Sequence, residues 1–209
     1  MPPDFTHERD LMAQGLARIA GVDEVGRGPL AGPVMACAVV LDPDRIPAGL
    51  DDSKRLTARR REVLAEAILA VAEVSVGVAS VAEIDALNIL RASHLAMVRA
   101  LAGLSRLPDI ALIDGNLLPR DMPCPGRAII KGDALSLSIA AASIVAKTRR
   151  DALMMDLAQQ FPGYGWDKNA GYPSQAHKQA ILDIGVTPHH RRSFKPIHNI
   201  LCHDKSLTP

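Results

Sequence analysis

The stretch Ile19-Ala-Gly-Val-Asp-Glu-Val-Gly-Arg-Gly-Pro-Leu-Ala-Gly-Pro-Val34 decides the fold. Its apolar opening and the apolar run that follows, 34–41, lack the alternation of a half-solvated strand. They read as neighbouring strands, 19–23 and 34–41, buried on both faces and joined by the glycine-rich turn. Asp23 and Glu24 close the first strand. Successive side chains of an extended segment point to opposite faces, so this pair serves one site only where the strand bends or ends. A hard divalent cation held by carboxylate oxygens would offset the crowding of negative charge. Gly26 and Gly28 carry no Cβ and let the backbone come close to a ligand. Arg27 between them is suited to a phosphate. A hairpin turn with solvated charges is the alternative.

Outward from this stretch, Thr57 caps a helix to about residue 72, and 74–81 is a strand. Asn88 caps a second helix to about residue 104, followed by a short strand 110–114. A proline-broken loop, 115–126, leads to a β-like segment 127–131 and then to the longest helix, about 136–160. Glycines and prolines punctuate the chain from residue 161 until another helix, 174 to about 184. Strands interleaved with helices give an α/β fold with a mixed β-sheet flanked by helices and a C-terminal helical segment. Asp114 and Asp133 each follow a short apolar run beside a glycine, where open α/β sheets gather ligands. Either one alone reads equally as a turn or capping aspartate.

Composition narrows the field. With 209 residues, 48% of them hydrophobic, the chain is read as one domain, with 1–17 as an N-terminal extension and 161–209 as a C-terminal loop and helices. No window reaches the roughly 18 apolar residues of a membrane span, and no export signal opens the chain, so a cytoplasmic location is expected. Cys37, Cys124 and Cys202 have neither disulfide nor zinc spacing, and the seven histidines show no ligand pattern. The net charge of +1 excludes a general polyanion binder, but the basic residues gather late. From Arg120 onward twelve Lys and Arg face seven Asp and Glu, whereas the first 119 residues hold twelve against sixteen. Ser143, Lys147 and Arg150 share one stripe of the long helix, which fits a nucleic-acid backbone. Residues 201–209 carry no docking motif and read as disordered.

Asp-Glu-Val-Gly-Arg-Gly-Pro-Leu-Ala-Gly-Pro-Val resembles the N-terminal signature of type 2 ribonuclease H, the ribonuclease HII family. Asp52-Ser-Lys54, Ile113-Asp-Gly115, Lys131-Gly-Asp133, Ala140-Ala-Ala-Ser-Ile-Val-Ala-Lys147, Gly171-Tyr-Pro173 and His190-Arg-Arg-Ser-Phe194 agree in order, over about residues 19–197. The resemblance implies a ribonuclease H-like fold. It also implies an endonuclease that cuts the RNA of RNA/DNA hybrids and cuts 5′ to single ribonucleotides in duplex DNA, leaving 5′-phosphate and 3′-hydroxyl ends. By resemblance Asp23, Glu24, Asp114 and Asp133 are the catalytic carboxylates and ligands of two Mn2+ or Mg2+ ions. Gly26, Arg27 and Gly28 sense the 2′-hydroxyl, Tyr172 stacks on the sugar beyond the ribonucleotide, and Ser53, Lys54, Ser143 and Lys147 lie near phosphates. A monomer acting on hybrids and ribonucleotide-containing duplexes, without a membrane partner, is expected. Asn169-Ala-Gly-Tyr-Pro-Ser174 departs from the commoner family text around the tyrosine, and Tyr164 and Trp166 stand close to it in sequence.

Overall fold

The computed structural model describes the backbone of residues 2–204 and side chains up to Cys202. Five strands form one sheet: β1 (Ile19–Val25), β2 (Val34–Val40), β3 (Glu73–Ala79), β4 (Ile110–Asp114) and β5 (Gly126–Ile129), in the order β3-β2-β1-β4-β5. β1 pairs antiparallel with β2 and parallel with β4, which makes the sheet mixed. Helices α1 (Thr6–Met12), α2 (Ala58–Val71), α3 (Val81–Leu87), α4 (Ile89–Ala102), α5 (Leu137–Gln160), α6 (Trp166–Asn169), α7 (Gln175–Ile184) and α8 (Lys195–Asp204) complete the described chain.

The unbroken apolar character of β1 and β2 follows from their double coverage. On one face Val22, Ala36 and Ala38 pack with Ala92, Ala96 and Ala100 of α4. On the other, Cys37 and Val39 pack with Ile68 of α2 and the buried alanines of α5. Small residues set how closely these layers approach. A Cβ on Gly21 would lie 2.1 Å from the Ser138 carbonyl carbon, and one on Gly77 would lie 2.0 Å from the Ala96 oxygen. The expected caps are present, Thr57 accepting from the Arg60 N–H and Asn88 from Leu90 and Arg91, and Ser136 and Ser174, read as first helical residues, prove to be caps that accept from the Ile139 and His177 N–H groups.

Three expectations change. The strand predicted over 74–81 stops at Ala79, because Ser80 and Glu83 form a reciprocal capping box that opens α3. The N-terminal extension is a structural element: α1 and its flank bury Phe5, Glu8 and Leu11. Glu8 accepts from the Ser136 hydroxyl at 2.6 Å and the Ser138 N–H at 3.0 Å, placing a carboxylate on the positive end of α5. Finally, the segment read as disordered from residue 201 continues α8 to Asp204, and residues 205–209 lie outside the described residues. A third apolar cluster, with Met154, Tyr164, Trp166, Ile181 and Ile197, packs the C-terminal helices against Leu30 and Ala31 of the glycine-rich turn.

Candidate active site

β1 and β4 run parallel with Val22 opposite Ile113, so Asp23 and Asp114 follow directly at the same ends of adjacent central strands. Asp133 enters from a 3-10 turn, Gly132–Ala134, just after β5, where Asp114 is registered with Ile129. One oxygen from each of Asp23, Asp114 and Asp133 lies within 4.8 Å of the others. Glu24 is outside that group, as strand alternation leads one to expect, although its charge acts on Asp23 and Asp114. Its Oε1 pairs with Arg27 at 3.1 Å, while its Oε2 is buried with no partner among the described residues.

This crowding disfavours ionisation. Burial raises the Asp23 pKa well above the ordinary value, Glu24 and Asp114 raise it further, and the Ser143 hydroxyl opposes them. Burial also raises Asp114, followed by the charge of Asp133, against a hydrogen bond from the Gly132 N–H at 2.7 Å. Lys54 lies 3.2 Å from Asp133. Burial works against the Lys54 ammonium, but Asp133, Asp23 and Asp52 outweigh it and raise its pKa. A buried carboxylate oxygen without a donor, beside acids held above their normal pKa, fits a bound divalent cation in the manner of hard oxygen-ligand sites.

Two of the predicted substrate residues reach this cluster directly, Lys54 at Asp133 and Ser143 at Asp23. Ser53 and Ser143 are buried and joined through their hydroxyls at 2.9 Å, which ties the Asp52-Ser-Lys54 loop to α5. Lys147 turns to Asp151 at 2.6 Å. Arg150, expected to continue the same exposed stripe, is fully buried and donates to the carbonyls of Pro33, Ala31 and Ala170. The stripe is covered at this end, because the later turns of α5 pack through Met154 and Leu157 against the glycine-rich turn and the C-terminal segment.

Gly26, Arg27 and Gly28 form the turn beside the acids, and Gly26 has φ 91°, a conformation that favours glycine. The three nearby aromatics separate clearly by exposure: Tyr164 and Trp166 are buried, while Tyr172 is 43% exposed. A Cβ at Gly28 would sit 3.3 Å from the Tyr172 ring, so the glycine permits that approach. The altered residues around the tyrosine have local uses. Asn169 bonds the Gly171 N–H and the Tyr164 carbonyl, and Ser174 caps α7.

Sequence reading did not anticipate the histidine chain behind Tyr172. Thr187 N–H donates to His190 Nδ1 at 2.9 Å, which leaves the His190 proton on Nε2, 3.2 Å from His177 Nε2. Trp166 also donates to His177 Nε2, so the His177 proton sits on Nδ1, facing the Tyr172 carbonyl at 2.9 Å. The spacing 166, 177, 190 follows no helix or strand period, and only the tertiary fold brings these residues together.

Acids crowded at a cost to their own ionisation, at the strand ends of a mixed sheet, make the site of a hydrolase suited to divalent cations, of the class that works on phosphodiesters. Residues 20–197 match the family model described as Ribonuclease HII. The chain is 63% identical to the Ribonuclease HII of Paracoccus denitrificans over 99% of this chain and 98% of that relative. It is 67% identical to that of Ruegeria pomeroyi over 95% of this chain and 85% of that one. The ribonuclease H2 structure from Pyrococcus horikoshii superposes with a TM-score of 0.76 at 28% identity, covering 90% of this chain and 99% of that one. A ribonuclease HII solved in complex with PCNA from Archaeoglobus fulgidus gives 0.68 at 28%, covering 86% and 96%. This chain belongs to the ribonuclease HII family. It is accordingly an endoribonuclease, acting on the RNA of RNA/DNA hybrids.

Proposed function

We propose that this endonuclease also cuts 5′ to single ribonucleotides embedded in duplex DNA, with Asp23, Glu24, Asp114 and Asp133 holding two Mn2+ or Mg2+ ions. The observation that carries the reading is the convergence of three acids to within 4.8 Å beside the Gly26–Gly28 turn and the exposed Tyr172. Bound divalent cations would supply Lewis acidity at phosphorus and neutralise charge on the departing oxygen. The reaction is hydrolysis: water oxygen bonds to phosphorus, the bond to the upstream O3′ breaks, and the water proton lost is balanced by one gained at O3′. The products carry 5′-phosphate and 3′-hydroxyl ends.

The chain's own residues account for selection. Backbone amides of the turn are suited to the ribose 2′-hydroxyl, which is the chemical difference between RNA and DNA. The exposed ring of Tyr172 next to Gly28 supports a role in stacking on the following sugar. Lys54, beside Asp133, and Lys147, four residues along α5 from Ser143, are the cations offered to phosphates, Lys54 by leaving Asp133 and Lys147 by leaving Asp151. Ser53 and Ser143 support that wall. We read the chain as one catalytic domain working as a cytoplasmic monomer. Among the described residues no helix is long and apolar enough to cross a membrane.

The test uses a DNA duplex with one ribonucleotide and an all-DNA control, in Mg2+ or Mn2+, with wild type, Asp23→Asn, Tyr172→Phe and Tyr172→Ala. Cleavage 5′ to the ribonucleotide, abolished by Asp23→Asn and absent from the control, is expected. Tyr172→Phe should retain the stacking ring and most activity. Tyr172→Ala should lose about 1–3 kcal/mol, roughly fivefold to 150-fold. A wild-type protein that cuts long hybrids but leaves the single-ribonucleotide duplex intact would overturn the reading.

A further inference from the structure

Two arginines, Arg150 on α5 and Arg191 in the segment before α8, are both 0% exposed and neither forms an ion pair among the described residues. Burying an unpaired guanidinium is costly unless its donors are satisfied. Here six backbone carbonyls satisfy them. Arg191 donates to Gly26, Arg27 and Gly32, and Arg150 donates to Ala31, Pro33 and Ala170. Five of the six carbonyls belong to the glycine-rich turn, and the sixth lies two residues before Tyr172. The turn and the tyrosine loop also meet directly, through Leu30 N–H to the Gly171 carbonyl at 2.7 Å.

The direction of these bonds has a geometric consequence. In a trans peptide the C=O and the N–H of the same plane point opposite ways. Capture of the Gly26 and Arg27 carbonyls by Arg191 therefore turns the Arg27 and Gly28 N–H groups away from the protein interior. Neither N–H finds a partner among the described residues. Both are donors held ready by bonds on the far side of their own peptide planes. A Cβ at Gly26 would lie 2.2 Å from Arg150 Nε, so the Arg150 guanidinium, with the φ of 91°, favours glycine at this position.

We infer that Arg191 and Arg150 are positioning residues for ribose recognition: Arg191 aims the Arg27 and Gly28 amides at the 2′-hydroxyl, and Arg150 locks that turn to the Tyr172 loop. The inference rests on the turn's role as ribose sensor proposed above. Lysine keeps the charge but offers three donors from one point instead of a planar fork, so it cannot hold two or three divergent carbonyls at once.

The test measures affinity for a single-ribonucleotide duplex and for its all-DNA counterpart, with Arg191→Lys and Arg150→Lys each placed in an Asp133→Asn parent that does not turn substrate over. The parent should favour the ribonucleotide duplex. Arg191→Lys should shrink that preference about tenfold, the worth of a charge-assisted hydrogen bond, with all-DNA affinity unchanged within about twofold. A merely structural role lowers the folded fraction and leaves the ratio of the two affinities intact. A folded Arg191→Lys protein with the full preference would overturn the inference alone, whereas a parent with no preference would overturn the ribose-sensing reading and the inference with it. Amide relaxation on the wild-type chain tests the same point if the variants do not fold. Order parameters at Arg27 and Gly28 should be about 0.85, like the strands, and values below about 0.6 would overturn the inference.

Discussion

Asp23→Asn should stabilise the protein in the absence of divalent cations while abolishing catalysis. Oxygens of Asp23, Asp114 and Asp133 lie within 4.8 Å of one another. Unit charges at that separation repel by about 3.5 kcal/mol at an effective dielectric of about 20. Lys54, 3.2 Å from Asp133, offsets part of this, leaving about 2 kcal/mol to be relieved at an ionised Asp23. At about 2–4 °C per kcal/mol for a chain of this size, Tm should rise by about 4–8 °C. The sign depends on pH. The folded-state pKa of Asp23 is raised above its unfolded value of 3.8, first by burial and then by Glu24 and Asp114. Its contribution to stability is therefore intact below the unfolded pKa and is lost as pH rises through the folded one. Thermal melts in EDTA across pH 5 to 8.5 should show the wild type declining and the variant flatter, with the gap widest at high pH. Added Mn2+ should raise the wild-type Tm more than that of the variant, because the cation binds a site the variant has weakened. A variant that melts below wild type in EDTA at pH 8.5 would refute the electrostatic reasoning.

Two further expectations concern the scaffold. Gly21→Ala places a methyl 2.1 Å from the backbone of Ser138, where β1 meets α5; because backbone has no rotamer to yield, the loss should reach about 4 kcal/mol or more by urea unfolding, and a near-neutral result would show that the layers can separate. The buried His190 has its pKa pushed down to about 4, by burial first and then by His177 and His189. The unfolded chain thus binds the proton more readily, so the stability this group contributes is complete above about pH 6.5 and is lost as pH falls toward 4. The loss is at most about 3 kcal/mol, reduced by solvent screening. Urea titrations at pH 7 and pH 5 in an Asp23→Asn background, where the opposing carboxylate effect is reduced to that of Asp114, should show this acid loss, and His190→Asn should flatten it relative to that parent; an identical pH dependence in the two would sink the assignment.

Local rules carried much of the architecture. Uninterrupted apolar strands, and caps at Thr57, Asn88, Ser136 and Ser174, write their geometry into neighbouring residues, and these elements lie where the sequence puts them. Ser80 and Glu83 carried an equally local signal for α3 that a strand reading of 74–81 overrode. The sequence also marked the acids Asp23, Asp114 and Asp133 one at a time, through an apolar run and an adjacent glycine. What it could not show is that β1 and β4 lie side by side and bring those oxygens within 4.8 Å, since strand order depends on pairing across 90 intervening residues. The same limit hid α1, whose hold on the core rests on Phe5, Leu11 and a carboxylate 128 residues from its serine partner. It reversed the role of Arg150 as well. Helical spacing placed Arg150 on one stripe with Lys147, and only the packing of the glycine-rich turn and the C-terminal helices turned it from a surface cation into a buried donor. Spacing along a helix fixes which side chains share a face, but what covers that face is decided by chain segments far away in sequence.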